Sequence, residues 1–130
     1  MTDWVVNNHI MQHFTLDEFR CPCCYRKDMQ PKALVAFDKI RDRAKVPMIV
    51  TSGYRCLAHN TKINASTNSS HLRGHGGDFA VSDARTRYRL LYAALEVGVS
   101  RVGIGKNHIH FDVDPSLDQC VVWDYYPDDS

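Results

Sequence analysis

The sequence predicts an α+β fold in which two or three helices flank a small antiparallel sheet. Two stretches repeat apolar side chains at the three- and four-residue steps typical of amphipathic helices. Four or five short runs rich in β-branched and aromatic residues indicate strands. The last of these runs follow one another closely enough for hairpins to join them, which favours antiparallel pairing.

The helices are marked by their apolar faces and by their ends. The segment TLDE at 15–18 has the spacing of a capping box before a short helix, and Pro31 suits a first helical position. One apolar face recurs through 31–44, and a second recurs through 84–97 and stops at Gly98, a residue typical of helix C-termini. We therefore expect the two main helices at these positions.

The strands are predicted from short apolar segments that are bounded by glycine, proline or polar residues. In chain order they are MIVTSG, GGDFAV, RVGIG, HIHFDV and QCVVWDY. A short helix is expected after the first of them, within the segment SGYRCLAHNTKIN. With this order of elements, we expect the sheet to form the centre of the fold.

Composition indicates one soluble domain. A chain of 130 residues is long enough to bury one core, and we treat 1–130 as one domain whose first 13 residues or so form a possible arm. The net charge of +1 gives no bias toward nucleic acid. The start lacks the pattern of a secretory signal, and no run of about 18 apolar residues occurs. We expect a monomer made in the cytosol, without membrane or nucleic-acid partners.

The cysteines leave two interpretations open. Three of the five lie within 21–24, and an odd total without a secretory signal argues against a disulfide framework, so reduced thiols are expected. The alternative is a structural zinc site, because two pairs of residues have the two-residue gap that zinc sites use. That site would consist of Cys21, Cys24, Cys56 and His59.

A metal-binding pattern lies in the segment SSHLRGHGGDFAV. His71 and Asp78 flank several glycines, which let the backbone fold back so that both side chains approach one ion. Imidazole and carboxylate are typical zinc ligands, and catalytic sites use three protein ligands. In HIHFD, His108 and His110 project to the same side of a strand. One of them can be the third ligand, although polar loops and exposed strands also carry such residues.

Three motifs in order give a resemblance to a known family. They are SGYR, then S-x-H-x-x-G-x-x-x-D beginning at Ser69, then H-x-H at 108–110. From about Phe14 to Val122 the chain resembles the zinc D-Ala-D-Ala carboxypeptidase family, which includes peptidoglycan carboxypeptidases, D-alanyl-D-alanine dipeptidases and phage L-alanyl-D-glutamate endolysins. The resemblance implies a Hedgehog/D-Ala-D-Ala-peptidase-like fold and a zinc peptidase that acts on the peptide stem of peptidoglycan.

The resemblance also implies roles for individual residues. His71, Asp78 and His110 match the zinc ligands of the family. Arg55 matches the arginine that binds substrate or stabilises the oxyanion, a task that suits a guanidinium because its charge is permanent. Ser69 matches the serine that hydrogen-bonds the substrate backbone.

The chain departs from the family at two positions. Several branches place Glu or Asp three residues before the last ligand as general base, but Asn107 stands there and its amide cannot accept a proton at neutral pH. We predict that His108 takes this role. Asp112 is the reserve candidate, or a group that orients a ligand histidine. Gly76 replaces a common alanine, which we expect merely to loosen the loop.

Three functions follow from these observations. The first is a zinc peptidase, either a carboxypeptidase or an endolysin-type endopeptidase, with the peptidoglycan stem peptide as substrate and access to the wall after holin-type release. The second is a non-catalytic zinc-containing binding module on the same scaffold, as in the Hedgehog signalling domain. The third is an interaction protein built on the Cys/His zinc site. The sequence does not distinguish which bond the peptidase would cleave.

Overall fold

The computed structural model describes residues 4–125 and confirms the α+β class. Its elements are β1 (Val5–Val6), β2 (His9–Ile10), α1 (Pro31–Ala44), β3 (Ile49–Ser52), α2 (Leu57–Lys62), β4 (Gly76–Ala80), α3 (Ala84–Val97), β5 (Arg101–Ile104), β6 (His108–Asp112) and β7 (Val121–Asp124). Two 3-10 helices, Leu16–Phe19 and Ser70–Arg73, lie between them. No helix in this described part is long and apolar enough to cross a membrane.

The two main helices begin and end where the sequence predicted. Helix α1 starts with Pro31 in its first turn. Helix α3 is capped by Asp83, whose carboxylate accepts a hydrogen bond of 2.9 Å from the backbone N–H of Thr86. It ends at Gly98, whose φ of +104° is a left-handed conformation that glycine adopts without strain. The two helices pack against each other on one face of the sheet.

The five-stranded sheet has the order β3-β4-β6-β5-β7. The first four strands pair antiparallel as predicted, but β7 pairs with β5 in parallel, so the prediction of a wholly antiparallel sheet is wrong at this edge. The chain crosses from β6 over the end of β5 instead of making a hairpin. Gly103 permits this arrangement, because a Cβ there would lie 2.7 Å from Nε1 of Trp123.

A cluster of buried phenylalanines forms the core between α1 and the sheet. Its members are Phe14, Phe19, Phe37, Phe79 and Phe111, all fully buried. The rings of Phe37 and Phe79 meet edge to face with centroids 5.1 Å apart, a favourable geometry for aromatic pairs. These side chains fix β4 and β6 against α1, and the same strands carry the site on their other face.

The segment before the first 3-10 helix is attached to α1. Asp38 is buried and accepts hydrogen bonds from the backbone N–H groups of Gln12 and His13. It also pairs with Nε2 of His9 at 2.8 Å. Met11 is fully buried in the core. The described part of the predicted arm is therefore packed along α1.

Candidate metal centre

Strand register brings the first two candidate ligands together. Asp78 on β4 lies directly opposite His110 on β6. Because neighbouring side chains alternate along a strand, Phe79 and Phe111 point into the core while these two residues point to the other face. His110 Nδ1 lies 2.7 Å from Asp78 Oδ1. The pair thus rests on the most regular part of the sheet.

The third candidate comes from the 3-10 helix Ser70–Arg73. Ser69 caps this helix by accepting a hydrogen bond of 3.1 Å from the backbone N–H of His71. Gly74 ends it with a φ of +73°. His71 Nε2 lies 3.3 Å from Asp78 Oδ1, and the donor atoms of the three candidates all lie within 4.8 Å of one another. They form a single group that could hold a metal ion.

The hydrogen bonds that the two histidine rings make on the side away from Asp78 are compatible with a bound metal ion. Nδ1 of His71 lies 2.7 Å from the carbonyl oxygen of Gly53, which can only accept, so this nitrogen carries the hydrogen and Nε2 keeps its lone pair. Nε2 of His110 lies 2.7 Å from Oδ2 of Asp112, which leaves the lone pair on Nδ1. Zinc-binding histidines are oriented in this way by a carbonyl or a carboxylate. The residues present therefore fit a zinc ion.

Burial and charge act differently on the three groups. Burial lowers the pKa of His71, although Asp78 lies beside it. Burial also disfavours charge on His110, but hydrogen bonds to Asp112 and Asp78 outweigh it and raise the pKa to about 9. Burial alone would raise the pKa of Asp78, yet the two histidines hold it well below its usual range. A positive charge on the His110 ring is thus favoured, because this ring lies between the carboxylates of Asp78 and Asp112.

Asp112 lies behind the cluster. It is 1% exposed. Its Oδ1 accepts hydrogen bonds from Nε of Arg101 at 2.7 Å and from the backbone N–H of Asp114 at 3.1 Å, while Oδ2 contacts His110. Burial opposes ionisation, but the bond from His110 lowers the pKa of this carboxyl. Both oxygens of Asp112 are engaged in holding neighbouring groups.

Arg55 lies at the edge of the cluster and is nearly buried. Its Nη2 donates to Oδ2 of Asp78 at 3.3 Å. Its Nε donates to Ser52 Oγ at 3.0 Å, and Nη1 donates to Asn60 Oδ1 at 3.3 Å. Three polar partners therefore fix the guanidinium beside the candidate ligand.

A cavity of about 430 Å³ opens in front of the cluster. His108, Arg55 and Ser69 line it together with the three candidate ligands, so every predicted site residue reaches the same cavity or its wall. Trp123 and Tyr125 also line it, with the ring of Trp123 5.6 Å from that of His110 and the ring of Tyr125 5.0 Å from that of His108. Burial raises the pKa of Tyr125 to about 12, so its phenol keeps a hydrogen at neutral pH.

Several contributors to this site carry no sequence signal. The carbonyl of Gly53 acts through its backbone, which any residue type has. Arg101 pairs with Asp112 only because β5 and β6 place them opposite each other. Trp123 and Tyr125 alternate along the last strand, a pattern that also fits ordinary sheet packing. If the sequence had shown that β7 pairs with β5, it would have indicated that Trp123 and Tyr125 lie at the cavity.

Gly76 has a larger role than loosening the loop. A Cβ at this position would collide with Oγ of Ser70 and lie 3.0 Å from Cε1 of His110. Ser70 Oγ lies 3.4 Å from Nε2 of His110. The absence of a side chain at Gly76 therefore makes room for this serine beside the candidate ligand, which corrects the sequence-based expectation.

The cysteines form a second group, with one change from the predicted set. Donor atoms of Cys21, Cys24 and Cys56 lie within 4.8 Å of one another. His59 is not part of this group, and its contact with Cys56 is a backbone N–H donated to the sulfur at 3.4 Å. Helix α2 places residue 59 in its first turn, where the N–H faces the capping thiol. The structure therefore does not bring His59 into the group of three sulfurs.

Two imidazoles and one carboxylate that converge at an open cavity match the ligand set of catalytic zinc sites such as those of zinc peptidases. A family model agrees with this class. The model described as Peptidase M15 matches residues 12–114, and the chain belongs to this family of zinc peptidases. The match spans all three sequence motifs and confirms the predicted family. A search of curated proteins gives no match to the chain.

Proposed function

We propose that the protein is a zinc-dependent peptidase that hydrolyses an amide bond in the peptide stem of bacterial peptidoglycan. The observation that carries this proposal is the convergence of His71, Asp78 and His110 at the cavity, with both rings held by partners that leave one lone pair facing the carboxylate. Membership of the Peptidase M15 family supports the reaction class. The substrate class rests on the resemblance of the three sequence motifs.

The proposed ligand atoms are Nε2 of His71, Nδ1 of His110 and a carboxylate oxygen of Asp78. A zinc ion bound there supplies a Lewis acid that polarises a peptide carbonyl and makes water nucleophilic near neutral pH. Three protein ligands leave a coordination position for water or substrate. Asp112 and the Gly53 carbonyl keep the two rings oriented.

His108 is the proposed general base and acid. It lies two residues from His110 on the same strand face and lines the same cavity. In this role it accepts a proton from the attacking water and delivers it to the leaving amine. Asn107 leaves the family's usual base position without a basic group. Asp112 is assigned a positioning role, since His110 and Arg101 engage both of its oxygens.

Arg55 and Ser69 are the proposed substrate contacts. The guanidinium of Arg55 lies beside Asp78 at the cavity, where a permanent positive charge stabilises the negative charge that develops on the carbonyl oxygen. Ser69 accepts a hydrogen bond from the His71 N–H, and its hydroxyl hydrogen can still be donated to a substrate carbonyl. Tyr125, whose ring lies 5.0 Å from that of His108, supplies a further hydroxyl at the cavity.

The cavity suits a short peptide. Its walls combine hydroxyl and amide side chains, including Ser66 and Asn68, with the aromatic rings of Trp123 and Tyr125. A volume of about 430 Å³ lies in the usual range of ligand pockets. Stem peptides combine backbone amide groups, which can hydrogen-bond to polar walls, with small alanine side chains.

The test is digestion of purified muropeptides by the zinc-loaded protein, followed by mass spectrometry. A carboxypeptidase releases a terminal D-alanine, whereas an endopeptidase cleaves within the stem, for example between L-alanine and D-glutamate. Either product should disappear with a chelator and in the His71→Ala variant. A folded, zinc-loaded protein that binds muropeptides and leaves them intact would favour the alternative, a binding module on the same scaffold.

Action as a monomer on the cell wall after holin-type release is part of the same proposal. It rests on the resemblance to phage-type peptidases. Lysis of cells that co-express a holin, compared with cells that express either protein alone, tests this step. Lysis without the holin would contradict it.

A further inference from the structure

The thiols of two separate segments meet beside α2. Cys21 and Cys24 lie in the turn that follows the first 3-10 helix, and Cys56 is the N-cap of α2. Sγ of Cys21 lies 3.7 Å from Sγ of Cys56. This separation is far longer than a disulfide bond of about 2.05 Å. It equals the spacing of roughly 3.8 Å expected for two sulfurs that each lie about 2.3 Å from one tetrahedral zinc ion.

Backbone N–H groups point at these sulfurs. The N–H of Cys56 donates to Cys21 Sγ at 3.5 Å, and the N–H of His59 donates to Cys56 Sγ at 3.4 Å. Tyr25 closes the turn by donating its N–H to the Cys21 carbonyl at 2.8 Å. The two N–H groups that donate to sulfur stabilise a thiolate relative to a thiol. The backbone is therefore arranged for anionic sulfur.

Cys23 lies on the same turn, directly before Cys24, and is exposed. Its sulfur is not among the three that lie within 4.8 Å of one another, so it would have to move toward them to become a fourth donor. Of the five cysteines, Cys120 alone belongs to a distant part of the chain, next to β7.

We infer that Cys21, Cys24 and Cys56, with Cys23 as the fourth donor, bind a structural zinc ion. Four thiolates form a closed tetrahedral site without a position for substrate, which is the pattern of structural zinc. The inference goes beyond the proposed peptidase activity, because this site is separate from the His/Asp/His cluster.

The location explains what the ion would stabilise. Between the first 3-10 helix and α1 the chain has no regular element and is held by turn hydrogen bonds, such as that from the Cys21 N–H to the Arg26 carbonyl at 2.7 Å. An ion shared by this loop and Cys56 would cross-link it to the start of α2. Arg55 precedes Cys56 directly, and its guanidinium contacts Asp78. The thiol site would therefore also fix the arginine at the cavity.

Metal counting on the purified, reduced chain is the first test. The wild type should contain two zinc ions per chain, and both His71→Ala and Cys21→Ser should contain one. Cys120→Ser is the matched control and should retain two. A wild type with one zinc that His71→Ala removes and Cys21→Ser leaves in place would overturn the inference, as would a disulfide between Cys21 and Cys56 in the zinc-treated protein.

Cobalt substitution identifies the ligands without an activity assay. Thiolate-to-cobalt charge-transfer absorption should persist in His71→Ala, which keeps the thiols, and should vanish in Cys56→Ser. The signal does not depend on peptidase activity, so a protein inert on muropeptides would leave this result intact. If the cysteine variants fail to fold, release of one of two zinc ions from the wild type by a mercurial thiol reagent gives the same answer. Release of none would contradict the site.

The fourth ligand is tested separately. Cys23→Ser should weaken zinc binding at this site and reduce the cobalt charge-transfer intensity, whereas His59→Ala should leave both unchanged. The opposite pattern would assign the position to His59 and overturn the four-cysteine set.

Discussion

Different parts of the fold bring together the side chains of the His/Asp/His cluster and those of the cysteine cluster. Asp78 and His110 are opposed by the register of two central strands, and a phenylalanine core fixes those strands from behind. Cys21 and Cys24 lie on an irregular turn and meet Cys56 at a helix cap. Secondary structure thus positions the first cluster, whereas the second depends on the contacts between its own sulfurs.

The difference has a consequence for metal removal. In the first cluster without a metal, a protonated His110 can donate from Nδ1 to Oδ1 of Asp78, which lies 2.7 Å away, and so hold these two groups together. Thiols are weak hydrogen-bond partners, so the second cluster has little to replace an ion. Chelation should therefore abolish activity through the first site and loosen the chain through the second.

His71→Ala should reduce peptide hydrolysis to background, because it removes one of three proposed ligands and leaves the carboxylate with one imidazole. Turnover of muropeptides, followed by mass spectrometry, measures the effect, with circular dichroism to show that the fold persists. Cys120→Ser is the control and should hydrolyse at the wild-type rate. Hydrolysis by folded His71→Ala at an undiminished rate would remove this cluster from the reaction.

His108→Ala should lower kcat by about 10²- to 10⁴-fold, the usual contribution of a general base or acid, while zinc content stays unchanged. His13→Ala is a matched control, since that ring pairs with Asp42 on the surface of α1. Zinc loss in His108→Ala would instead make this residue a ligand and exchange its role with that of His110.

Asp112→Asn should weaken zinc binding at the first site by about 10- to 100-fold, the range found when a carboxylate behind a ligand histidine is lost. An amide cannot hold the imidazole in one tautomer as a carboxylate does. Competition with a fluorescent chelator measures the affinity, and Asp42→Asn serves as the exposed carboxylate control. Unchanged affinity would mean that Asp112 only supports the fold through Arg101.

Asp114→Asn should destabilise the fold by about 1–3 kcal/mol and leave zinc affinity unchanged. Asp114 is buried, accepts from Arg73 Nε at 2.6 Å and from Ser116, and so links the 3-10 helix that carries His71 to the end of β6. Urea unfolding measures the change.

The same variant has a defined pH dependence. Burial would raise the pKa of Asp114, but hydrogen bonds from Ser116 and the charge of Arg73 lower it. A depressed pKa means that the carboxylate stabilises the fold above its unfolded pKa and loses this contribution as the pH falls through the folded pKa. The difference in unfolding free energy between wild type and variant should shrink in acid. A difference that grows in acid would contradict the assigned contacts.

The sequence predicted the elements most accurately where a local pattern of residues determines the structure. Helices α1 and α3 have the predicted bounds, because an amphipathic period, a proline start and a glycine stop are local signals. Strand β7 was predicted at the right place but with the wrong partner, since apolar alternation identifies a strand without saying which neighbour it joins. Pairing depends on distant contacts such as Trp123 over Gly103.

The site shows the same difference between residues found from local sequence signals and groups that depend on distant contacts. Motif spacing identified His71 and Asp78 but left His108 and His110 open, and the family resemblance selected His110. The structure brings these three residues together. Motif spacing could not identify the Gly53 carbonyl, because a backbone group has no sequence signature. For the thiol cluster, a two-residue gap suggested His59, but helix α2 turns its N–H, not its ring, toward Cys56.

A zinc-edge anomalous difference map from crystals of the zinc-loaded protein would show whether His71, Asp78 and His110 share one zinc ion. We expect a peak about 2.0–2.2 Å from His71 Nε2, His110 Nδ1 and an oxygen of Asp78. A zinc-loaded crystal without a peak between these three side chains would contradict this expectation.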